Sequence, residues 1–466
     1  MHGHSSDARG LALRAAGIDA ESSPRWRALS ILARVSELVA TIESLAYGIF
    51  GVARTSQGVV LVPGTAPGDV ARIRIVADKR DHREAEVLEI LQPSPDRRTP
   101  PCPYVPQCGG CDWQHVTRQA QLEAKERIVR DALVRIGGLD PARLNVRPIV
   151  PCAEWGYRHR LSLRVDGEQR LGFYQHRSHR LVEVAACQIA DSAVNLHLST
   201  ARDWLRGTST EIRRLEIASA RDSRVAFVGN AEGPFRHDEA YHEKFLRAHP
   251  TVNGVVLFGK GWRRAFGEPL ADLEIEHGLV LETQGGFTQV NPEGNLRLVE
   301  SVVELAAATV ADRVLDLYCG SGNFTLPLAR RAATVLGVES DSASVAQARR
   351  NADRAGLGNC RFLQQDAASA ARGLVEGNER YSLVLLDPPR SGAASVVDHL
   401  PALVAQRLIY VSCNPSTLAR DLGRLTAHGF AVGAVQPIDL FAQTHHVETV
   451  VRLDRQQPSD GGAAGG

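Results

Sequence analysis

The 466-residue sequence has no apolar run approaching the roughly 18 residues of a membrane span. Its opening, MHGHSSDARGLALRAAG, lacks both a continuous apolar stretch and a small-residue cleavage site. Those two absences exclude a secretory signal and a membrane partner, and predict a cytoplasmic protein. Net charge is nearly missing too, at +1, so no whole-chain field announces a polyanionic partner and charge has to be read locally. What is present is an ordinary globular composition, 44% hydrophobic and 23% charged, in a chain too long for one compact core. Two or three domains are expected.

Residues 1–36 are rich in Ala, Arg and Ser without periodicity, and 455–466 end in DGGAAGG; both read as disordered tails. Between 37 and 95 the pattern is one of short strands. VVLV at 59–62 is followed by the turn PGTAPGD and by VARIRIV, in which Ala71, Ile73 and Ile75 alternate with Arg72 and Arg74. One apolar and one basic face at period two predict a small barrel of OB type. Past a Pro-rich linker at 93–103, a helix is expected near 115–136 with Leu122, Val129, Leu133 and Ile136 on its stripe and Gly137 as its stop. Strand signals dominate 157–265. We therefore expect a central mixed α+β domain over 96–280. Over 281–454 VLDLY, TVLGVE, LVLLD and LIYVS are near-continuous apolar runs separated by helical segments, the pattern of an α/β domain with buried parallel strands.

The central segment carries two local features. Between Arg143 and Arg180 there are eight Arg against three acidic residues, interleaved with Trp155, Tyr157, Phe173 and Tyr174. That composition suits phosphate neutralisation and base stacking, and equally a solvated strand face. Cys102, Cys108 and Cys111 form C-x5-C-x2-C, with Gly109 and Gly110 letting the backbone curl. In a reducing cytosol such thiolates point to metal rather than disulfides. Cys152 and Cys187 both qualify as a fourth ligand, and either zinc or an iron-sulfur cluster fits.

In the last domain the first apolar strand runs into DLYCGSGNF, where Gly320 and Gly322 allow a tight turn and close approach of a ligand to a helix start. Glu339 follows Gly320 by nineteen residues, at the end of the next strand, where a carboxylate can accept from ribose hydroxyls. The third glycine of a dinucleotide fingerprint is missing, so a nucleoside ligand fits better than a pyrophosphate. Asp316, Glu339, Asp366 and Asp387 should all rim one crevice beyond the strand ends. Taken singly, Asp366 or Asp341 is explained as a helix N-cap, and Asn291 before Pro292 has the same reading.

Cys413, in VSCNPSTLARD, should lie at that rim too. Asn414 to Thr417 look like a helix start, whose dipole would favour thiolate. Glu448 comes thirty-five residues later in DLFAQTHHVETV. A thiolate and a carboxylate in one pocket are what C5 methylation of a pyrimidine needs. Sulfur adds to C6 to make C5 nucleophilic, and after methyl transfer a base removes the C5 proton. Cys319 and Cys360 read as inert buried thiols.

From about residue 40 to 453 the chain resembles the bacterial 23S rRNA uracil-C5 methyltransferases that carry a TRAM domain and an iron-sulfur cluster. The matching segments include GVAR with VVLVPGTAPGD, PCPYVPQCGGCDWQH, FTQVN, DLYCGSGNFTLPLA, LDPPRSG, VSCNPSTLARDL and FAQTHHVET. The resemblance implies a Rossmann-like catalytic domain, a [4Fe-4S] cluster on Cys102, Cys108, Cys111 and Cys187, and S-adenosylmethionine (SAM) held by Gln289, Tyr318, Asn323, Glu339 and Asp366, with Asp387 where SAM meets the base. It implies Cys413 as nucleophile, Glu448 as base and 23S rRNA as partner, with a tRNA uridine as the alternative substrate; DNA is not expected, and a monomer is. Amine methylation on the same fold would need an aromatic after the Asp-Pro-Pro, where Arg390 stands. Radical SAM chemistry would leave one iron open, whereas four ligands are available. A silent RNA-binding scaffold has no use for Cys413 with Glu448.

Overall fold

A computed structural model describes residues 37–456. The predicted tails lie outside the described residues, except that Arg455 closes the last strand. By its contacts the chain divides into two units: the described residues up to Ser44 with Phe50–Pro95, and Leu45–Ile49 with everything from Asp96 on.

In the first unit β1 (Glu37–Leu45), β2 (Phe50–Thr55), β3 (Gly58–Pro63), β4 (Val70–Asp78) and β5 (Arg83–Gln92) close into a barrel in the order β1-β2-β3-β5-β4. The predicted alternation is what fills it. Ile42, Ala53, Val60, Val62, Ala71, Ile73 and Ala85 point inward. The basic face of β4 is not free, however. Arg72 pairs with Glu89, and Arg74 with Glu37 and Glu86, all carboxylates on neighbouring strands.

In the second unit the predicted helix spans Arg118–Arg135. Its buried face differs from the expected stripe, because Gln121, Lys125 and Ile128 are on it while Ile136 is half exposed. Lys125 Nζ pairs with Asp439 and donates to the Phe441 carbonyl at 3.0 Å. The Gln121 amide donates to the carbonyls of Trp113 and Val116, and its oxygen accepts from Gln443 N. Asp439, Phe441 and Gln443, more than three hundred residues away, help to satisfy these buried polar groups, which helical periodicity cannot reveal.

Two short strands, β6 (Asn145–Val146) and β7 (Val150–Pro151), precede a seven-stranded sheet in the order β10-β9-β8-β11-β12-β13-β14. Its strands are β8 (Arg160–Val165), β9 (Leu171–Tyr174), β10 (Leu181–Glu183), β11 (Ile212–Ser219), β12 (Val225–Ala231), β13 (Val252–Gly259) and β14 (Trp262–Gly267). Only β12 and β13 run parallel. A hairpin, β15 (Ala271–Glu276) with β16 (Leu279–Thr283), leads to the last sheet.

That sheet comprises β17 (Arg313–Leu317), β18 (Thr334–Glu339), β19 (Cys360–Gln364), β20 (Tyr381–Leu386), β21 (Val404–Ser412), β22 (Phe430–Asp439) and β23 (Glu448–Arg455). The order is β19-β18-β17-β20-β21-β23-β22, with β6 and β7 extending β22. Strands β17 to β21 are mutually parallel, and β23 is antiparallel to both neighbours. Buried aliphatic side chains cover both faces, which is why the strands read as continuous apolar runs. Because β23 runs backward, its first residue lies at the edge where the parallel strands end.

Candidate active site

Register fixes the crevice. Leu317 faces Val338 and Leu386 across the ladder, Glu339 faces Gln364, and Leu386 faces Tyr410. Tyr318, Glu339, Gln365, Asp387 and Cys413 therefore leave the sheet along one edge. Tyr318 has φ +68° and Gly322 φ +102°; a non-glycine residue held in the left-handed region at a strand end marks a loop shaped for a ligand. Glu339 accepts from Gly320 N at 3.2 Å and from Asp341 N at 2.9 Å, so its carboxylate is fixed at the mouth of the glycine turn.

Other expected SAM contacts have partners of their own. Asp366 caps the helix Ala367–Glu376, accepting from Ala368 N and Ser369 N at 3.1 Å, and Asp341 caps its helix likewise. Asn323 exchanges two 2.9 Å amide hydrogen bonds with Asn295. Asn291 is the buried N-cap of Pro292–Ala306. Gln289 is buried in the segment 286–290, which β8 supports: His159 N donates to the Val290 carbonyl, and Arg160 to the Gly286 carbonyl and the Thr288 hydroxyl. A Cβ on Gly286 would stand about 4 Å from Ser321 and Ser344, so this segment borders the crevice.

Asp316 lies beneath the crevice floor. Thr325 donates to Oδ2 at 2.5 Å, while buried Oδ1 has no protein partner. Burial pushes its pKa from 3.8 up to about 7. A carboxyl whose folded pKa is raised contributes stability that is complete below about pH 4 and lost as pH rises through 7. Asp316→Asn should abolish that dependence and make the SAM-free protein more stable than the native one at pH 8 by about 4 kcal/mol, read from thermal melts between pH 4 and 8.

Cys413 follows β21, and Glu448 opens β23 beside it, since Ser412 pairs with Thr449. Cys413, Glu448, Asp387 and the Arg390 guanidinium are close enough that each carboxylate and the cation act on the thiol. The expected thiolate is not what this arrangement favours. Burial foremost, then Glu448, pushes the Cys413 thiol up to about 11, against the downward pull of Arg390. The N-cap is Asn414, whose side chain takes the Ser416 N–H. Cys413 directly precedes the N-cap, so the expected helix start is beside the thiol, while burial pushes the thiol the other way. Glu448 is fully buried, and burial with Asp387 raises its pKa well above the usual range. Burial thus works against ionisation of Cys413, Glu448 and Asp387 alike, beside one guanidinium. Arg390, which the sequence marked only by not being aromatic, is the group that offsets their ionisation.

Cys102, Cys108, Cys111 and Cys187 line a single cavity of about 90 Å³ together with Tyr104, Phe173 and Arg158. Cys152 does not; it packs in the core beside β15 and β16. Gly109 is required where it stands, because a Cβ there would meet the Tyr174 carbonyl at 2.7 Å, against which Gly109 N donates. Cys187 is fixed by reciprocal bonds to the Asn195 amide. Among the described residues no group of three or more Cys, His, Asp or Glu is arranged to hold a metal ion.

The basic stripe of 143–180 is only partly available. Arg143, Arg147, Arg160 and Arg170 pair with Asp140, Glu304, Glu216 and Asp166. Arg164 lies over the Tyr174 ring, and Arg158 over Tyr157 and Phe441.

A doubly covered parallel sheet with an antiparallel strand between β21 and β22, and a glycine turn and acidic strand ends on one edge, has the layout of a nucleoside-binding enzyme of the SAM methyltransferase class. The family model described as tRNA (Uracil-5-)-methyltransferase matches residues 275–456, and one described as the TRAM domain of tRNA (uracil(54)-C(5))-methyltransferase matches residues 38–95. An uncharacterised RNA methyltransferase of Gloeobacter violaceus is 38% identical over 89% of this chain and 95% of its own. The 23S rRNA (uracil(1939)-C(5))-methyltransferase RlmD of Alkalilimnicola ehrlichii is 35% identical over 87% of this chain and 94% of its own. Among solved structures, the Pyrococcus abyssi tRNA (uracil-54, C5)-methyltransferase bound to S-adenosyl-L-homocysteine shares the fold, with a TM-score of 0.67 at 22% identity, covering 89% of this chain and all of that one. The chain belongs to the family of SAM-dependent RNA uracil-C5 methyltransferases. No helix among the described residues is long and apolar enough to cross a membrane.

Proposed function

We propose that the protein methylates C5 of one uridine in 23S rRNA in the cytoplasm, with Cys413 as nucleophile and Glu448 as general base. The observation that carries this reading is the convergence of Cys413, Glu448, Asp387 and Arg390 at one sheet edge. SAM supplies the electrophilic methyl and, as a sulfonium, a positive charge that favours both anions in a buried pocket. The Cys413 thiolate adds to C6 of the uracil, and the displaced C5=C6 π electrons pass to the C4 oxygen as an enolate. As the C4 carbonyl re-forms, C5 takes the methyl, whose bond to the sulfonium sulfur breaks to leave the neutral thioether S-adenosyl-L-homocysteine. Glu448 then removes the C5 proton, and the returning electron pair reforms C5=C6 and expels the thiolate. The base has to be flipped out or lie in a loop to reach the pocket. Tyr318, Glu339 and Asp366 would face the cofactor, and Gln289 and Asn323 would border it.

The RlmD relatives favour 23S rRNA, whereas the family models and the archaeal structure carry tRNA in their descriptions. Incubation with labelled SAM and each unmodified RNA separates the two. Label in 5-methyluridine of 23S rRNA is the expected result, and label confined to tRNA would replace it.

We read Cys102, Cys108, Cys111 and Cys187 as ligands of a [4Fe-4S] cluster. Four thiols lining one cavity support a shared group there, and the choice of a cluster over zinc rests on the resemblance of the cysteine motif. Uracil methylation needs no electron transfer, so the group would act structurally, tying the 102–111 loop to Cys187. Cys187→Ser is expected to lose the iron and sulfide of the purified protein, lower its melting temperature and weaken RNA binding. Unchanged folding and unchanged RNA affinity would remove the idea.

A further inference from the structure

A hydrogen-bond chain with a single direction runs from Arg390 to the backbone of Cys413. Arg390 Nη2 lies 3.2 Å from His446 Nε2. A guanidinium has donors only, so Nε2 accepts and the ring proton sits on Nδ1. Nδ1 faces the Tyr47 hydroxyl oxygen at 3.5 Å. Tyr47 then donates its own proton to the Cys413 carbonyl at 3.2 Å. Only this assignment of protons satisfies all three contacts.

The surroundings hold the chain in place. The His445 ring lies 4.1 Å from that of His446 between centroids, Tyr47 stands edge-on to His445 at 4.9 Å, and Phe441 is edge-on to His446 at 5.9 Å. His445 Nδ1 is in turn 2.5 Å from Asp112 Oδ2. Behind the nucleophile, Asn414 Nδ2 donates to the Arg390 carbonyl at 3.0 Å. The segment after Cys413 and the segment carrying Arg390 are therefore tied at two points. Burial, with His445 and Arg390 nearby, pushes His446 down to about 3, so it stays a neutral acceptor. A neutral acceptor orients a guanidinium without cancelling its charge, whereas a carboxylate in its place would consume that charge.

We infer that Tyr47 and His446 are positioning residues: they hold Arg390 against the Cys413 thiol and fix the backbone that aims it. The inference rests on Cys413 being the nucleophile. It explains why a residue at position 47, in the segment Leu45–Ile49 that packs with the second unit, reaches the centre of the catalytic edge.

The test uses full-length Tyr47→Phe, His446→Leu and His446→Gln. It measures single-turnover methyl transfer at saturating RNA and SAM, and Cys413 alkylation by iodoacetamide against pH. Tyr47→Phe and His446→Leu should slow transfer between roughly tenfold and a hundredfold with affinities nearly unchanged. The alkylation midpoint of His446→Leu should rise by about one pH unit. His446→Gln, whose amide oxygen still accepts from Arg390, should restore most of the rate. Wild-type rates in Tyr47→Phe and His446→Leu, or losses confined to RNA affinity and melting temperature, would overturn the inference. If His446→Leu does not fold, Tyr47→Phe, which deletes one oxygen, decides alone. Native enzyme whose Cys413 can be replaced without loss would instead remove the nucleophile assignment itself.

Discussion

A Glu448→Gln enzyme mixed with RNA and SAM is expected to stall after methyl transfer, accumulating a covalent adduct between Cys413 and a uracil already methylated at C5. The amide cannot take the C5 proton, so elimination of the thiolate stops, and turnover should fall on the order of a thousandfold, as for loss of a general base. The first half-reaction should proceed, because neither addition at C6 nor transfer to C5 uses Glu448. Folding should survive the change. Burial and Asp387 already favour the neutral form of this carboxyl, and a neutral isostere fits the same space, so the variant should melt no lower than the native protein at pH 8. Denaturing gels that display RNA-linked protein, together with mass spectrometry of the linked nucleotide, check both points. An adduct lacking the methyl would move the role of Glu448 to an earlier step.

Cys413→Ala should abolish transfer, with a loss on the order of 10⁴-fold or more in single turnover, as expected when a covalent nucleophile is removed. SAM and RNA binding should persist, since the glycine turn and the other strand ends are untouched. The pH dependence of the native enzyme follows from the same thiol. Deprotonation is required, and the free-enzyme thiol sits near 11, so alkylation of Cys413 should speed up as pH rises from 7 to 10. Arg390 pulls that value down, so Arg390→Gln should shift the profile upward and slow transfer at neutral pH. A profile already flat at pH 7 would mean that the thiol is ionised in the free enzyme.

Much of the site could be read from the sequence because alternating strands and helices place every parallel strand end on one edge. Glu339, Asp387 and Cys413 needed only that rule and the positions of the apolar runs, whereas Asp316, expected on the rim, is still inside its strand and fully buried. The rule says where a residue lies and not what it touches. Asp366 also serves as a helix cap, Asn323 has its amide committed to Asn295, and burial pushes the Cys413 thiol up although a helix starts beside it. Pairing across long separations was equally hidden. Lys125 was invisible on its helix because Asp439 satisfies it, and of the basic stripe Arg147 and Arg160 meet carboxylates from remote segments, Glu304 and Glu216. Tyr47, Arg390 and His446 belong to three remote segments, and no spacing connects them. The four cysteines around one cavity were legible through their motif for three members, while Cys187 entered by resemblance alone, since local spacing offered Cys152 equally.

The account's central claim is covalent attack by Cys413 on C6 of a uracil, and trapping with RNA that carries 5-fluorouridine tests it most directly. Fluorine at C5 cannot be removed as a proton, so the methylated adduct cannot collapse. Peptide mapping of native enzyme incubated with this RNA and SAM should find a methylated fluorouridine attached to Cys413, and no adduct with Cys413→Ala. Methylation of ordinary RNA at full rate with no trapped complex, or a complex mapped to another residue, would contradict it.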